Sequence, residues 1–165
     1  MANVKTNAMR ILDKAGIPYK IYTYEQKDGL VDGISVAGKI GQPFEKVYKT
    51  LVTQGASREY YVFIVPVNEE LNLKAAAKSV NEKNVEMIKS TDITKVTGYI
   101  RGGCSPVGMK KEYKTVLDSS CNRVDRLIVS AGKIGYQIEI ATADLIRLIR
   151  CEVESIVMDK QVDGA

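Results

Sequence analysis

Residues 47–53 and 60–67 are two runs rich in valine, tyrosine, isoleucine and threonine, and residues 54–58 between them read Gln-Gly-Ala-Ser-Arg. β-Branched and aromatic side chains suit a pleated, half-buried surface, and so short a connection leaves no room for a crossover helix. The two runs predict an antiparallel hairpin, with Pro66 ending the second strand or placing it at an edge. In the first strand, alternation puts Val47, Lys49 and Leu51 on one face and Tyr48, Thr50 and Val52 on the other. Lys49 therefore stands between apolar neighbours, where a charge is costly without a task. Two readings stay open: an ammonium that meets a phosphate or carbonyl, and a packed stem whose tip reaches water.

The remaining elements arrange themselves around that hairpin. Val4, Ala8, Ile11, Leu12 and Ala15 recur at helical spacing, and Gly16 and Pro18 stop the helix. Residues 19–24 read as a strand, 25–33 as a polar loop, and 35–40 as a short helix ending at Gly41. Asn68 or Asn72 caps a helix over 73–78. Residues 85–88 form a short strand, and Thr91 caps a turn of helix ending at Gly98. Three more strands follow at 114–117, 126–130 and 136–141, with 131–135 turning between the last two. Thr142 caps a helix carrying Leu145, Ile146, Leu148 and Ile149; residues 153–157 add a last piece, and the tail from Asp159 frays. Interspersed strands and helices with close strand pairs predict an α+β fold. Its sheet is mixed and mainly antiparallel with helices outside, in a single domain over 1–165.

Residues 97–111 stand apart. Gly102, Gly103, Gly108 and Pro106 fall within seven residues, a density that regular elements rarely carry. Such a loop can aim backbone N–H groups at an oxyanion or carbonyl, or it can be a tight structural turn. Within it Cys104 invites a nucleophile reading, against that of a small buried apolar residue. Ser105 donates a hydrogen bond or shapes the turn. Arg101, Lys110, Lys111 and Lys114 form a basic cluster suited to phosphates, or a solvated face. Tyr22 and Tyr24 stack on a base or pack. Thr50 and Ser130 are strand hydroxyls with no distinguishing feature of their own.

Composition narrows the chemistry. The chain has no histidine, which excludes Ser-His-Asp and Cys-His machinery, histidine-ligated metals and histidine general bases within it. Its three cysteines, Cys104, Cys121 and Cys151, show no CxxC spacing and read as reduced thiols, neither a disulfide frame nor a zinc site. No apolar run approaches the ~20 residues of a membrane span, and the N-terminus lacks a signal-peptide core, so a cytoplasmic protein without membrane contact or cofactor is expected. A net charge of +4 is compatible with a nucleic-acid partner.

Several segments together resemble the YbaK/EbsC family of bacterial trans-editing proteins, related to the editing domain of prolyl-tRNA synthetases. They are Tyr24, Lys49-Thr50-Leu51, the Leu-Asn-Leu-Lys-Ala-Ala-Ala-Lys run at 71–78, Val85-Glu86-Met87 and Thr97-Gly98-Tyr99. The Gly-Gly-Cys-Ser-Pro-Val-Gly run at 102–108 and Val129-Ser130-Ala131-Gly132-Lys133 complete the set, in family order across most of the chain. The resemblance implies a distorted sheet or barrel surrounded by helices and deacylation of mischarged aminoacyl-tRNA, nearest to the Cys-tRNA(Pro) branch. It implies that Lys49 positions the aminoacyl ester and terminal adenosine, and that Gly102, Gly103 and the loop to Pro106 bring backbone amides to the scissile carbonyl. Tyr24, Thr50, Ser105, Pro106 and Ser130 take substrate-binding positions by the same likeness. It further implies that the substrate's own thiol attacks the ester, which suits a chain without histidine. The partners it implies are the acceptor end of mischarged tRNA(Pro) and a prolyl-tRNA synthetase.

The chain departs from the family pattern twice. A pocket aromatic expected after the first strand has only Leu30 or Val31 nearby, and a polar position after Gly132-Lys133, acidic in some members, is Gln137. Ala-tRNA(Pro) or another small aminoacyl ester is therefore an alternative substrate. A non-catalytic module binding an RNA end or a partner protein is the competing class.

Overall fold

The structure is a computed structural model that describes residues 4–159; the tail expected to fray lies, beyond Asp159, outside the described residues. Helix α1 (Asn7–Ala15) begins where the Thr6 hydroxyl accepts the Met9 N–H, and ends where Gly16 turns left-handed at φ 71. It buries Ala8, Met9 and Leu12, and leads into β1 (Tyr19–Thr23).

The strands form two sheets. In the smaller, β1 and β6 (Arg126–Ser130) flank β7 (Tyr136–Ala141), all antiparallel. The larger contains β2 (Tyr48–Gly55), β3 (Tyr60–Pro66), β4 (Val85–Met87), β5 (Lys114–Asp118) and β8 (Glu152–Glu154), in the order β4-β2-β3-β5-β8. The β2–β3 hairpin is present with Lys49 opposite Val65 and Thr50 opposite Ile64, and its turn holds Arg58 at φ 79. β4 joins β2 antiparallel, whereas β3–β5 and β5–β8 are parallel. The fold is thus α+β, mixed and mainly antiparallel.

The two sheets enclose one core. Tyr48, Val62, Ile64 and Leu117 of the larger meet Leu127, Val129, Ile138 and Ile140 of the smaller, with Met9 and Leu12 of α1 among them. Each such fully buried aliphatic side chain is worth about 1.5–3 kcal/mol. The other face of the larger sheet buries Tyr61, Phe63, Val65 and Val116 against Ala76 and Ala77 of α3 (Leu73–Ser79). Between the sheets runs one isolated backbone bridge, parallel, from Val47 to Ile128.

One helix start settles an alternative left open by the sequence, and two differ in detail from expectation. Asn72, not Asn68, caps α3, its side chain accepting the Ala75 N–H at 3.1 Å. Thr91 lies in a 3-10 turn, Ser90–Asp92, and Asp92 flanks α4 (Ile93–Thr97) without a side-chain cap bond. Thr142 is the first residue of α5 (Thr142–Ile149); its hydroxyl donates to the Val124 carbonyl at 2.7 Å, and Ala141 precedes the helix without capping it. In both cases a tertiary contact or a preceding turn displaced a local capping preference.

Candidate active site

A cavity of about 560 Å³ opens where β2 begins. Tyr48, Lys49 and Thr50 form one wall, Ser130 and Gln137 another, and Arg101, Gly102 and Cys104 a third. The fourth wall is the start of α2 (Gly33–Lys39), with Asp32, Gly33 and Val36. Asp32 fixes that helix by accepting from Ser35 N–H at 3.1 Å and Ser35 Oγ at 2.7 Å. Lys39 at its far end clamps the preceding loop, donating to the Glu25 carbonyl, Asp28 Oδ1 and the Leu30 carbonyl at 2.6, 2.7 and 2.9 Å.

The seam that holds these walls together is well tied. Val67 N–H donates to the Val47 carbonyl at 2.9 Å, extending the hairpin to the bridge with Ile128. Just before it, Lys46 Nζ lies 2.9 Å from Glu139 Oε1, while Arg126 Nε donates to Oε2 at 2.9 Å and Tyr22 Oη to Oε1 at 3.1 Å. One nearly buried carboxylate thus joins β1, β6 and β7 to the segment that delivers Lys49.

The polar groups facing the cavity have distinct states. Lys49 is half-buried, and that burial lowers its ammonium pKa, against the opposing field of Glu70 and Glu69. The Thr50 hydroxyl is buried without a hydrogen-bond partner. Ser130 Oγ accepts Gly132 N–H at 3.2 Å, which leaves its own proton for a ligand. Ser130 and Gln137 sit opposite each other in the β6–β7 ladder.

The glycine loop divides its backbone donors. Gly103 N–H closes a turn onto the Ile100 carbonyl at 2.9 Å. A Cβ on Gly103 would lie 3.0 Å from Ile134 N and 3.3 Å from Lys133 C, so two backbones meet there. Among the described residues, Gly102 N–H and Cys104 N–H have no intramolecular acceptor, and both residues line the cavity. The Cys104 thiol is pushed up to about 11 by burial, with a Thr97 hydrogen bond opposing. A thiol so held stays protonated at neutral pH and is a poor nucleophile.

Of the expected site residues, Lys49, Thr50, Gly102 and Ser130 come together in this cavity. Tyr24, Gly103, Ser105 and Pro106 do not line it. Tyr24 has a buried hydroxyl without a partner, and its ring lies 5.9 Å from Lys39 Nζ. Ser105 is fully buried and shapes the loop by accepting Val107 N–H at 3.2 Å. Pro106 lines a different hollow, beside Ile11 and Met109. Asp32, Gly33, Val36 and Val67 are wall residues that sequence reasoning missed; the Asp-x-x-Ser cap was the available signal for the first. Of the two candidates for the pocket aromatic's place, Val31 lines the cavity and Leu30 is exposed. Among the described residues, no helix is long and apolar enough to cross a membrane.

Two packed sheets with a cleft at their seam define the α+β architecture. A solved structure described as a hypothetical protein superposes with a TM-score of 0.82 at 16% identity, covering 90% of this chain and 97% of that one. Another, described as a candidate trans-editing enzyme for prolyl-tRNA synthetase, gives 0.80 at 19% identity, covering 94% and 100%. At those identities the likeness is one of fold. Sequence carries the comparison further. EbsC of Enterococcus faecalis, named as a candidate Cys-tRNA(Pro)/Cys-tRNA(Cys) deacylase, is 43% identical over 144 residues, 87% of this chain and 88% of EbsC. A proline–tRNA ligase of Fervidobacterium nodosum is 28% identical over 117 residues, which is 71% of this chain and 19% of the ligase. The family model of the aminoacyl-tRNA editing domain matches residues 33–148. The chain belongs to the aminoacyl-tRNA editing domain family and is an aminoacyl-tRNA deacylase by class.

Proposed function

We propose that the protein clears Cys-tRNA(Pro) in trans, using the cysteinyl thiol of the substrate as nucleophile. The observation that carries this reading is the cavity that gathers Lys49, Thr50, Ser130 and two unengaged N–H groups, beside a Cys104 thiol that stays protonated at neutral pH. The substrate sulfur attacks the ester carbonyl carbon as the ester C–O bond breaks. The thiol proton passes to the departing ribose oxygen, leaving a four-membered thiolactone and free tRNA. The protein contributes orientation and stabilisation of the carbonyl oxygen as it gains charge. Gly102 and Cys104 N–H donate to that oxygen, Lys49 holds the ester and terminal adenosine, and the Thr50 and Ser130 hydroxyls fix the aminoacyl group. The same reading makes residues 1–165 one editing domain, working in the cytoplasm beside a prolyl-tRNA synthetase that selects the tRNA.

The test is release of amino acid from Cys-tRNA(Pro) and Ala-tRNA(Pro) by the native chain, Lys49→Ala and Cys104→Ala. Cysteine release that falls about 100-fold in Lys49→Ala and survives in Cys104→Ala is the expected result. Comparable turnover of the alanyl ester would overturn the thiolactone step and make a small aminoacyl ester the substrate. No turnover of either, with tRNA still bound, would overturn the enzymatic reading.

A further inference from the structure

Residues 95–111 carry Lys95, Arg101, Lys110 and Lys111 and no acidic residue; in the rest of the chain the twenty remaining basic residues cancel the 20 acidic ones. The whole net charge of +4 therefore resides in seventeen consecutive residues, of which Arg101, Gly102 and Cys104 line the cavity. The structure folds this stretch into a closed loop. Lys110 N–H donates to the Thr97 carbonyl at 2.9 Å, and Lys110 Nζ to the Lys95 carbonyl at 3.4 Å, so three lysines collect at the loop's base. Arg101, near its tip, lines the cavity, and the exposed Lys133 lies on the turn against which Gly103 packs. Among the described residues none of these cations has an ion-pair partner, whereas Lys114 is paired with Glu152 at 4.0 Å and leaves the group. Asp92 and Glu112 flank the stretch.

We infer that this loop surface is the phosphate-docking track for the RNA of the substrate, a deepening that rests on the deacylase reading. Arg101 takes the phosphate nearest the aminoacylated nucleotide, because it alone of the set lines the cavity. Lys95, Lys110 and Lys111 take phosphates farther from the 3′ end. A cationic loop on an otherwise charge-balanced chain steers a polyanion toward the cavity without reading bases.

The experiment compares full-length Cys-tRNA(Pro) with a cysteinylated trinucleotide ending in CCA, and measures affinity for uncharged tRNA by fluorescence anisotropy. The variants are Arg101→Gln, Lys110→Gln/Lys111→Gln, Lys110→Arg/Lys111→Arg and, on exposed α3 away from the loop, Lys74→Gln/Lys78→Gln. The paired glutamine variant at 110 and 111 should weaken tRNA binding about tenfold and flatten the log–log salt dependence by about 1 per lysine. It should raise KM on tRNA with kcat unchanged, and leave the trinucleotide unaffected. The arginine pair should restore wild-type behaviour, the α3 pair should change nothing, and Arg101→Gln should raise KM on both substrates. Unchanged affinity and salt slope in the 110/111 glutamine pair, or an equal loss in the α3 pair, would overturn the assignment. Because the anisotropy needs no turnover, failure of the deacylase reading and failure of the track are told apart.

Discussion

Gly33 rests directly on Val67: a Cβ built on Gly33 would lie 2.5 Å from Val67 Cγ1 and 2.8 Å from its Cβ. Both residues line the cavity, and Gly33 is not among the positive-φ glycines, so the constraint is space. An alanine in a first helical turn normally gains about 1 kcal/mol over glycine. Here Gly33→Ala should instead destabilise the protein by about 1–3 kcal/mol and push Val67 into the cavity, raising KM. The double variant Gly33→Ala/Val67→Ala should recover much of both losses, and urea unfolding with steady-state kinetics measures the coupling. Additive losses would mean that the contact does not shape the cavity.

The buried, unpartnered Thr50 hydroxyl costs folding free energy that an apolar isostere avoids. Thr50→Val should leave stability unchanged or raise it by about 1 kcal/mol, while reducing kcat/KM about tenfold. A variant less stable than wild type would show that the hydroxyl is satisfied in solution.

At pH 7 the Cys104 thiol, held at about 11, is almost wholly protonated. Iodoacetamide should modify it far more slowly than a free cysteine, and the rate should climb as pH rises toward that value. Cys104→Ala keeps the backbone N–H and should retain activity within about threefold. Rapid inactivation by alkylation at neutral pH, abolished in Cys104→Ala, would restore a thiol mechanism.

Glu139 provides the pH test. Burial pushes its carboxyl up, but hydrogen bonds from Lys46, Arg126 and Tyr22 outweigh this and hold it at about 2, below the ordinary 4.5. Its contribution is therefore complete above pH 4.5 and is lost as pH falls toward 2. Glu139→Gln should cost about 2–3 kcal/mol at pH 7, and the gap from wild type should close in acid. A gap independent of pH down to 2 would show that the charge is not what the network requires.

Legibility tracked the range of the interactions involved. The Gly16 stop and the β2–β3 hairpin were readable because each is decided within a few residues. The parallel pairings of β3 with β5 and β5 with β8 were not, since each joins strands separated by several other elements. In the site, Lys49 was conspicuous as a charge in an apolar strand, and the glycine loop by its composition. Which N–H groups the loop leaves open was invisible, because that depends on Gly103 turning back to Ile100. Gly33 carried no local signal, its constraint coming from Val67 across the fold. Thr91 and Thr142 misled as caps because the chain around them answers to a turn and to Val124.

The seam at Val47 and Ile128 has one more consequence. Lys49 and Thr50 belong to one sheet, Ser130 and Gln137 to the other, so neither sheet alone forms the cavity. The cavity therefore exists only where the two sheets meet, so its shape depends on how they pack together.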